Sequence, residues 1–314
     1  MTTRLIAAAA LLSLLNPTPS IAQNGIPKPG VSQMTNATQS ATLKVPGATL
    51  YYETTGSGPT LLIIPGGPQD AGVFTPLAAE LAGRFRVVSY DPRGNSRSSF
   101  DGEATLLDVD QQADDAAALI DHVGGPAYVF GTSGGAQIGL NLAARHPHLV
   151  TTLVAHEPPS MMLMDDPEPM LAADRALHET YRTQGVDAAM AQFFAEHGLD
   201  GGEAPEGDMP DFDPAGMPPE AAETFMRVSG NFEYWLAHGM LPLSTYKPDV
   251  TALKAGAPRV VVAIGEQSTG HPIHAMSMAL ANALGVEPVS VPGDHMGFEA
   301  QPAEFAQRLE AAFK

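Results

Sequence analysis

A serine stands at the centre of the pattern G-x-S-x-G formed by residues 131–135. An apolar run, residues 127–130, precedes this pattern, and a helix-like stretch, residues 137–146, follows it. A serine at a sharp strand-to-helix turn has an exposed hydroxyl and a strained backbone, and glycines on either side leave room for the turn. The helix N-terminus behind it directs N–H groups at a developing negative charge. Ser133 is therefore predicted to be a nucleophile.

A nucleophilic serine needs a base, and His295 is the best candidate among the ten histidines. It lies in a loop, residues 292–297, directly after the last strand that the sequence predicts. Gly293 and Gly297 give this loop the freedom to bring an imidazole back over the strand ends. His122, His146 and His148 lie at helix ends, where a solvated side chain is typical, and His271 and His274 flank Pro272 and are weaker candidates. The sequence therefore predicts that His295 takes the serine proton.

Two backbone N–H groups are needed to stabilise an oxyanion. The residue after the nucleophile, Gly134, supplies one of them. The other is expected from the Pro-Gly-Gly-Pro loop at residues 65–68, which follows the first central strand. Pro68 has no N–H to donate, so Gly67 is the predicted second donor.

Strand and helix patterns alternate along most of the chain after residue 40. A hairpin around Pro46 comes first. Short apolar runs typical of strands buried on both faces lie at residues 61–64, 87–90, 127–130, 151–155, 259–264 and 287–291. Helical patterns lie at residues 75–82, 106–122, 136–145, 273–284 and 302–313. This order predicts an α/β fold with a mostly parallel central sheet flanked by helices.

The alternation is interrupted between residues 158 and 244, which hold helical stretches at residues 170–182, 186–195 and 221–236 and no convincing strand. Within this interruption, residues 199–220 carry Pro, Gly and acids without Lys or Arg and are expected to form a loop. The sequence therefore predicts a core of residues 41–157 and 245–314 with a helical cap, residues 158–244. The cap is expected over the carboxyl edge of the sheet, where ligands bind in open α/β sheets.

From residue 40 onward, the chain resembles the serine hydrolases of the α/β-hydrolase superfamily. Four segments carry the resemblance: residues 65–68, residues 91–98 (Asp-Pro-Arg-Gly-Asn-Ser-Arg-Ser), the G-x-S-x-G pattern, and residues 292–295. The resemblance implies the α/β-hydrolase fold and a catalytic triad in the chain order Ser, acid, His. It also implies that residues 91–98 tie loops together rather than take part in the chemistry.

The triad acid departs from the usual pattern of that superfamily. Its members usually have an Asp after the strand that corresponds to residues 259–264, where this chain has Ser268. Glu266 is close in sequence but two residues out of place, whereas Glu157 directly follows the strand after the G-x-S-x-G helix. The zearalenone-lactonase-like branch takes its acid from that strand end, and this chain resembles it in its H-E-x-P segment, its missing later Asp and its cap position. Glu157 is therefore the predicted acid, with Glu266 as the alternative.

The predicted cap is rich in methionine and aromatic residues. Met161 and Met162 follow Glu157 closely, and Trp235, the sole tryptophan, lies near the end of the cap. Methionine at helical spacing is typical of a core, but these residues also predict a hydrophobic, adaptable substrate cavity. The resemblance to the lactonase-like branch implies that Trp235 contacts the ligand.

Composition excludes several kinds of partner. The formal net charge is −19, so phosphate backbones and anionic lipid surfaces would repel the chain, and nucleic acid is not expected as a partner. The absence of cysteine rules out disulfides and thiol catalysis. No H-E-x-x-H or other clustered ligand spacing predicts a metal, and no cofactor is implied. Beyond the N-terminal region, no apolar segment is long enough to insert stably in a membrane.

The N-terminus has the composition of a secretory leader. Arg4 gives a positive start, residues 5–15 are apolar but too short to span a bilayer, and residues 20–22 (Ser-Ile-Ala) offer a cleavage site. We expect a signal peptide of residues 1–22, a disordered lead-in of residues 23–40, and a periplasmic or secreted protein. Met34 offers an alternative start for a cytoplasmic version.

These observations predict a serine hydrolase that cleaves a carboxylic ester or lactone of a hydrophobic small molecule. An aminopeptidase of the proline-iminopeptidase type is a second possibility because of the Gly-Gly-Pro at residues 66–68, although Ser268 counts against it. The third is a hydrolase-fold protein that binds a small ligand without turnover.

Overall fold

The structure is a computed structural model that describes residues 37–197, 216–256 and 258–314. The predicted signal peptide, residues 23–36 of the predicted lead-in, and residues 199–215 of the predicted acidic loop lie outside the described residues.

The described residues form one sheet of nine strands. The strands are β1 Gln39–Val45, β2 Ala48–Gly56, β3 Thr60–Ile64, β4 Arg86–Tyr90, β5 Ser99–Phe100, β6 Ala127–Thr132, β7 Val150–His156, β8 Arg259–Gly265 and β9 Val289–Val291. Their order across the sheet is β1-β2-β4-β3-β6-β7-β8-β9, and β5 pairs with β2. The pairs made by β2 with β1, β4 and β5 are antiparallel, whereas the pairs from β4 to β9 are parallel. The predicted α/β-hydrolase fold class is confirmed.

Helices cover both faces of this sheet. They are α1 Thr75–Leu81, α2 Val109–Val123, α3 Gly134–Arg145, α4 Glu168–Gln184, α5 Val186–His197, α6 Pro219–Tyr234, α7 Met240–Ser244, α8 Val250–Ala255, α9 Pro272–Leu284, α10 Gly297–Ala300 and α11 Pro302–Ala312. A π-helical turn, Trp235–Gly239, joins α6 to α7. Within the described parts of the chain, no helix has both the length and the apolarity that crossing a membrane would require.

The strand β3 illustrates why the centre of the sheet is stable. All five of its residues are buried. Leu61 and Ile63 pack into one hydrophobic core with α1 and α11, while Leu62 and Ile64 pack into the other with α2 and α3. Side chains alternate between the faces of a strand, so a strand with helices on both sides is apolar at every position.

The described residues between β7 and β8 form helices and no strand, in keeping with the loss of alternation in that part of the sequence. Apolar residues of α4, α5 and α6, among them Leu177, Phe194 and Phe232, belong to the same core as α1 and α11. This packing holds the inserted helices against the sheet. The division into a core and a cap stays a prediction.

Candidate active site

Ser133 lies between β6 and α3 in a strained backbone conformation, with φ 54° and ψ −126°. The chain can turn this sharply from β6 into α3 because Gly131 and Gly135 have no side chains. A Cβ at Gly135 would lie 2.1 Å from the carbonyl oxygen of Ile64, and one at Gly131 would lie 2.5 Å from the carbonyl oxygen of Gly135. The close crossing of β3, β6 and α3 therefore depends on glycine at both positions.

Glu157 follows the adjacent parallel strand, β7. The backbone of this strand is tied to the serine turn, because the Ser133 N–H donates to the carbonyl oxygen of His156 at 2.9 Å. The Glu157 N–H donates to the carbonyl oxygen of Ala263 in β8 at 3.0 Å. Like Ser133, Glu157 has a positive φ, 45°, which is rare for a residue with a side chain. Two strained residues therefore lie side by side at the carboxyl edge of the sheet.

The Glu157 side chain is fully buried and both of its oxygens are hydrogen-bonded. Oε2 accepts from Nδ1 of His295 at 2.7 Å, and Oε1 accepts from the N–H of Gly265 at 2.8 Å. Burial alone would raise the pKa of this carboxyl, but the hydrogen bond from His295 and the neighbouring His156 together hold the pKa well below its usual range. Glu157 is therefore ionised throughout the neutral range.

The two other acids near His295 in the sequence have different neighbours. Glu266 is exposed, and its Oε1 lies 3.5 Å from the hydroxyl of Ser290. Asp294 accepts from the N–H of Met296 at 2.8 Å and so stabilises the turn that carries His295. Within the described residues, neither acid has a hydrogen bond to His295, and Glu157 is the carboxylate that the structure brings to it.

The two glycines predicted as oxyanion donors lie close together. A Cβ built on Gly134 would be 3.4 Å from the backbone nitrogen of Gly67. Gly67 has a φ of 47°, in the left-handed region that glycine adopts without cost. Neither N–H has an acceptor among the described residues. Both are thus available to an oxygen bound between them.

One pocket unites most of the predicted site residues. Its polar lining consists of Ser133, His295, Gly67, Gly134, Asp174 and Ser244. Its apolar lining includes Pro159, Met161, Phe193, Trp235, Met240, Leu243, Pro272, Ile273 and Met276. Met162, which was also predicted to contact substrate, is partly buried next to Met161 and is not among the lining residues.

Several lining residues were not predicted from the sequence. Met240 and Leu243 come from α7, and Ile273 and Met276 come from the first turns of α9. The carboxyl end of β8 lies at the same sheet edge as those of β6 and β7. Because α9 follows β8 in the chain, its first turns could have been assigned to the pocket from their position in the sequence. Trp235 is held in place by an edge contact with Phe193, with ring centroids 4.9 Å apart.

His156 was also missed as part of the site. It is fully buried, and its Nδ1 lies 2.9 Å from the hydroxyl of Thr132. Its ring lies nearly parallel to that of His295, with centroids 6.1 Å apart. Burial, together with the nearby His295, lowers the pKa of His156 to about 4 despite the charge of Glu157, so the ring is neutral at neutral pH.

The segment of residues 91–98 ties loops together, as the resemblance implied. Asp91 is fully buried and accepts two hydrogen bonds from the guanidinium of Arg97, each 2.8 Å long. Arg93 makes a similar pair with Asp115, at 2.7 and 2.8 Å. Among the described residues, no group of three or more potential ligands could hold a metal ion.

Comparison with known proteins agrees with this architecture. The family model described as alpha/beta hydrolase fold matches residues 59–196. YraK of Bacillus subtilis strain 168, an uncharacterized hydrolase, is 32% identical over 275 residues, which are 85% of this chain and 93% of YraK. The chain belongs to the α/β-hydrolase family.

Two further proteins resemble this α/β-hydrolase. A zearalenone hydrolase from Cladophialophora bantiana is 35% identical over 126 residues, which are 39% of this chain and 48% of that protein. The solved structure of a thermophilic esterase from Thermogutta terrifontis superposes with a TM-score of 0.65, covering 87% of this chain and 97% of the esterase. Its sequence identity is 22%, so this likeness concerns the fold alone.

Proposed function

We propose that this α/β-hydrolase cleaves a carboxylic ester or lactone of a hydrophobic small molecule through an acyl-serine intermediate. One observation carries the proposal. A strained serine, a histidine backed by a buried carboxylate, and two N–H groups without an acceptor among the described residues meet in one mostly apolar pocket. These are the parts that acyl transfer to a serine requires.

In the proposed reaction, the Ser133 hydroxyl attacks the carbonyl carbon while Nε2 of His295 takes its proton. Glu157 accepts from Nδ1 of the same ring at 2.7 Å, so it fixes the tautomer and stabilises the imidazolium that forms. The carbonyl oxygen becomes an oxyanion that binds the N–H groups of Gly67 and Gly134. As the tetrahedral intermediate collapses, His295 gives the proton to the departing alkoxide.

The second half of the reaction uses the same groups with water as the nucleophile. His295 takes a proton from the water, the hydroxide attacks the acyl group on Ser133, and the serine leaves with a proton from His295. The products are a carboxylic acid and an alcohol. With a lactone they are the two ends of one hydroxy acid, because the alcohol remains linked to the acyl chain.

The lining of the pocket supports a hydrophobic substrate. Met161 and Trp235 are buried beside Ser133 in a wall made mostly of apolar side chains, and we propose that both contact the substrate. A role for Met162 stays a prediction. The partial similarity to a zearalenone hydrolase supports a lactone among the substrates, although membership of that branch is itself part of the proposal.

A substrate panel tests this function. Purified protein is assayed with p-nitrophenyl esters of increasing acyl length, with lactones of several ring sizes, and with prolyl anilides, and Ser133→Ala is run in parallel. We expect turnover of esters or lactones and a loss on the order of 10³-fold or more in Ser133→Ala. Faster cleavage of the prolyl anilides would instead favour the aminopeptidase. Binding of these compounds without any turnover would favour a non-catalytic protein.

A further inference from the structure

The loop Gly66–Asp70, here called the oxyanion loop, has its carbonyl groups held from outside the pocket. The carbonyl oxygens of Gly67 and Gln69 both accept from Nδ2 of Asn95, at 3.0 and 2.9 Å. The carbonyl oxygen of Pro68 accepts from Nδ2 of Asn231 at 2.8 Å. With these carbonyls bound on one side, the Gly67 N–H is left to face the pocket.

Asn231 lies on α6, more than 160 residues after the loop that it holds. Asn231 is 5% exposed, and both the nitrogen and the oxygen of its side-chain amide form hydrogen bonds. Nδ2 donates to the Pro68 carbonyl and to the Ser96 hydroxyl, each at 2.8 Å, and Oδ1 accepts from the Ser96 N–H at 2.7 Å. A side chain with both a donor and an acceptor is needed here, because a carboxylate has no hydrogen to give to the Pro68 carbonyl.

The helix α6 makes a second contact with the oxyanion loop one turn earlier. Nε of Arg227 lies 2.6 Å from Oδ2 of Asp70, whose side chain is fully buried. The other oxygen of Asp70 accepts from the N–H of Gly72 at 2.8 Å. One turn after Asn231, the indole of Trp235 lies over Gly67, with Nε1 3.4 Å from the place of a Gly67 Cβ. Residues spaced by four share one face of a helix. Arg227, Asn231 and Trp235 therefore form one face that contacts the oxyanion loop over two turns.

We infer that Asn231 is a positioning residue for the oxyanion hole. It holds the peptide between Pro68 and Gln69, whose N–H donates to the carbonyl oxygen of Gly66 at 2.9 Å. That carbonyl lies in the same peptide as the Gly67 N–H, so its hydrogen bond sets the direction of the N–H. Donors must lie within about 2.7–3.1 Å of the developing oxyanion to be effective, so a small tilt of this loop weakens the transition state more than the bound substrate. The helix α6, which leads directly into the pocket residue Trp235, thus also supports the oxyanion hole. This inference rests on the proposed function.

The test compares Asn231→Ala and Asn231→Asp with two matched controls in ester hydrolysis. Both variants lose the donor to Pro68, and Asn231→Asp keeps an acceptor for the Ser96 N–H. The control Ser96→Ala removes a different hydrogen bond of Asn231 and leaves the one to Pro68. The control Tyr181→Phe removes the exposed hydrogen bond from Tyr181 to Glu233, which joins α4 to α6 without involving the loop.

We expect kcat to fall by about tenfold or more in both Asn231 variants, with KM within about twofold of wild type, and little change in the controls. Phenylboronic acid forms a tetrahedral adduct on an active serine, so its inhibition constant should rise in step with the fall in kcat. A purely structural role of Asn231 would lower the melting temperature without this parallel change.

If Asn231→Ala does not fold, Arg227→Gln gives the same readout from a partly exposed position on the same helix face. Wild-type kcat and wild-type affinity for the boronic acid in folded Asn231 variants would overturn the inference. Absence of ester hydrolysis in the wild-type protein would instead overturn the proposed function.

Discussion

At the scale of single residues, the best-defined contact of the site is the one between Glu157 and His295. The positive φ of Glu157 and its buried, doubly hydrogen-bonded carboxylate cost free energy that a purely structural residue would not need. Strained residues of this kind cluster at functional sites. The sequence pointed to Glu157 only through a resemblance, because no local pattern of residues shows which of two acids reaches a distant histidine.

Glu157→Gln is expected to lower kcat by about 10²-fold to 10⁴-fold, with little change in KM, because an amide neither stabilises the imidazolium nor fixes its tautomer. Glu266→Gln is the matched control, since Glu266 is exposed and faces Ser290. Steady-state kinetics with one p-nitrophenyl ester measures both. A large loss of kcat in Glu266→Gln, with a nearly normal kcat in Glu157→Gln, would show that the triad acid is Glu266, after β8.

His156 is expected to make the free energy of unfolding depend on pH. Its pKa is lowered to about 4, below the value of 6.5 of an unfolded chain. Between these values the unfolded state binds the extra proton, so the free energy of unfolding falls as the pH drops from about 6.5 towards 4. At pH 5, the loss from this group is on the order of 2 kcal/mol.

Urea unfolding at pH 7 and pH 5 measures this contribution. His156→Gln should be less stable than wild type at pH 7 but should lose less free energy of unfolding on going to pH 5. The depressed pKa of Glu157 acts in a lower window, because that stability is lost only as the pH falls below the ordinary carboxyl range. Equal pH dependence in the two proteins would contradict a buried, neutral His156.

At the scale of elements, the strands of the parallel sheet were predictable to within a few residues. The strands β3, β6 and β7 are short and mostly buried, because helices cover both faces of the sheet there. The two-residue strand β5 was missed, since its pairing with β2 comes from the tertiary structure rather than from a local pattern. The predicted start of α2 was three residues early, because Asp108 caps this helix by accepting from the N–H of Asp110 at 2.9 Å.

The end of α6 shows a different limit. The sequence predicted one helix for residues 221–236, whereas α6 gives way to a π-helical turn and then to α7. Pro242 has no N–H for the carbonyl of His238, which accepts from the N–H of Leu107 at 2.9 Å instead. The proline makes a break in the helix predictable from the sequence. The hydrogen bond from the distant Leu107 is not predictable in this way.

The crossing of β3 and α3 is expected to tolerate no side chain at Gly135. Gly135→Ala would place a Cβ 2.1 Å from one backbone oxygen and 2.4 Å from another, neither of which can move aside as a side chain would. We expect a loss of about 3 kcal/mol or more in the free energy of unfolding, or failure to fold. Gly83→Ala is the control, because a Cβ there meets nothing within 4 Å. Similar melting temperatures for the two variants would refute the close crossing.

At the scale of the whole molecule, the topology of the sheet assembles the site. Neighbouring parallel strands β6, β7 and β8 bring Ser133, Glu157 and the support from Gly265 to one edge, although Gly265 lies 108 residues after Glu157. Strand polarity made this convergence predictable. The shape of the pocket was not, because it depends on how α6, α7 and α9 pack across the sheet edge. Asn231 has no sequence signal at all, since its partners Pro68 and Ser96 are far away in the chain.

We propose that the protein is exported; the segment that predicts export lies outside the described residues. The positive, apolar and small-residue order of residues 1–22 predicts cleavage after Ala22. N-terminal sequencing of protein from a periplasmic or culture fraction is expected to begin at Gln23. Protein confined to the cytoplasm and starting at Met1 or Met34 would argue against the leader.

The central claim is that Ser133 becomes covalently acylated, and labelling with a fluorophosphonate followed by mass spectrometry tests it most directly. We expect one adduct per chain, located on the peptide that contains Ser133, absent in Ser133→Ala and formed much more slowly in Glu157→Gln. Wild-type protein that hydrolyses esters without this adduct, or that carries the adduct on another residue, would contradict the account.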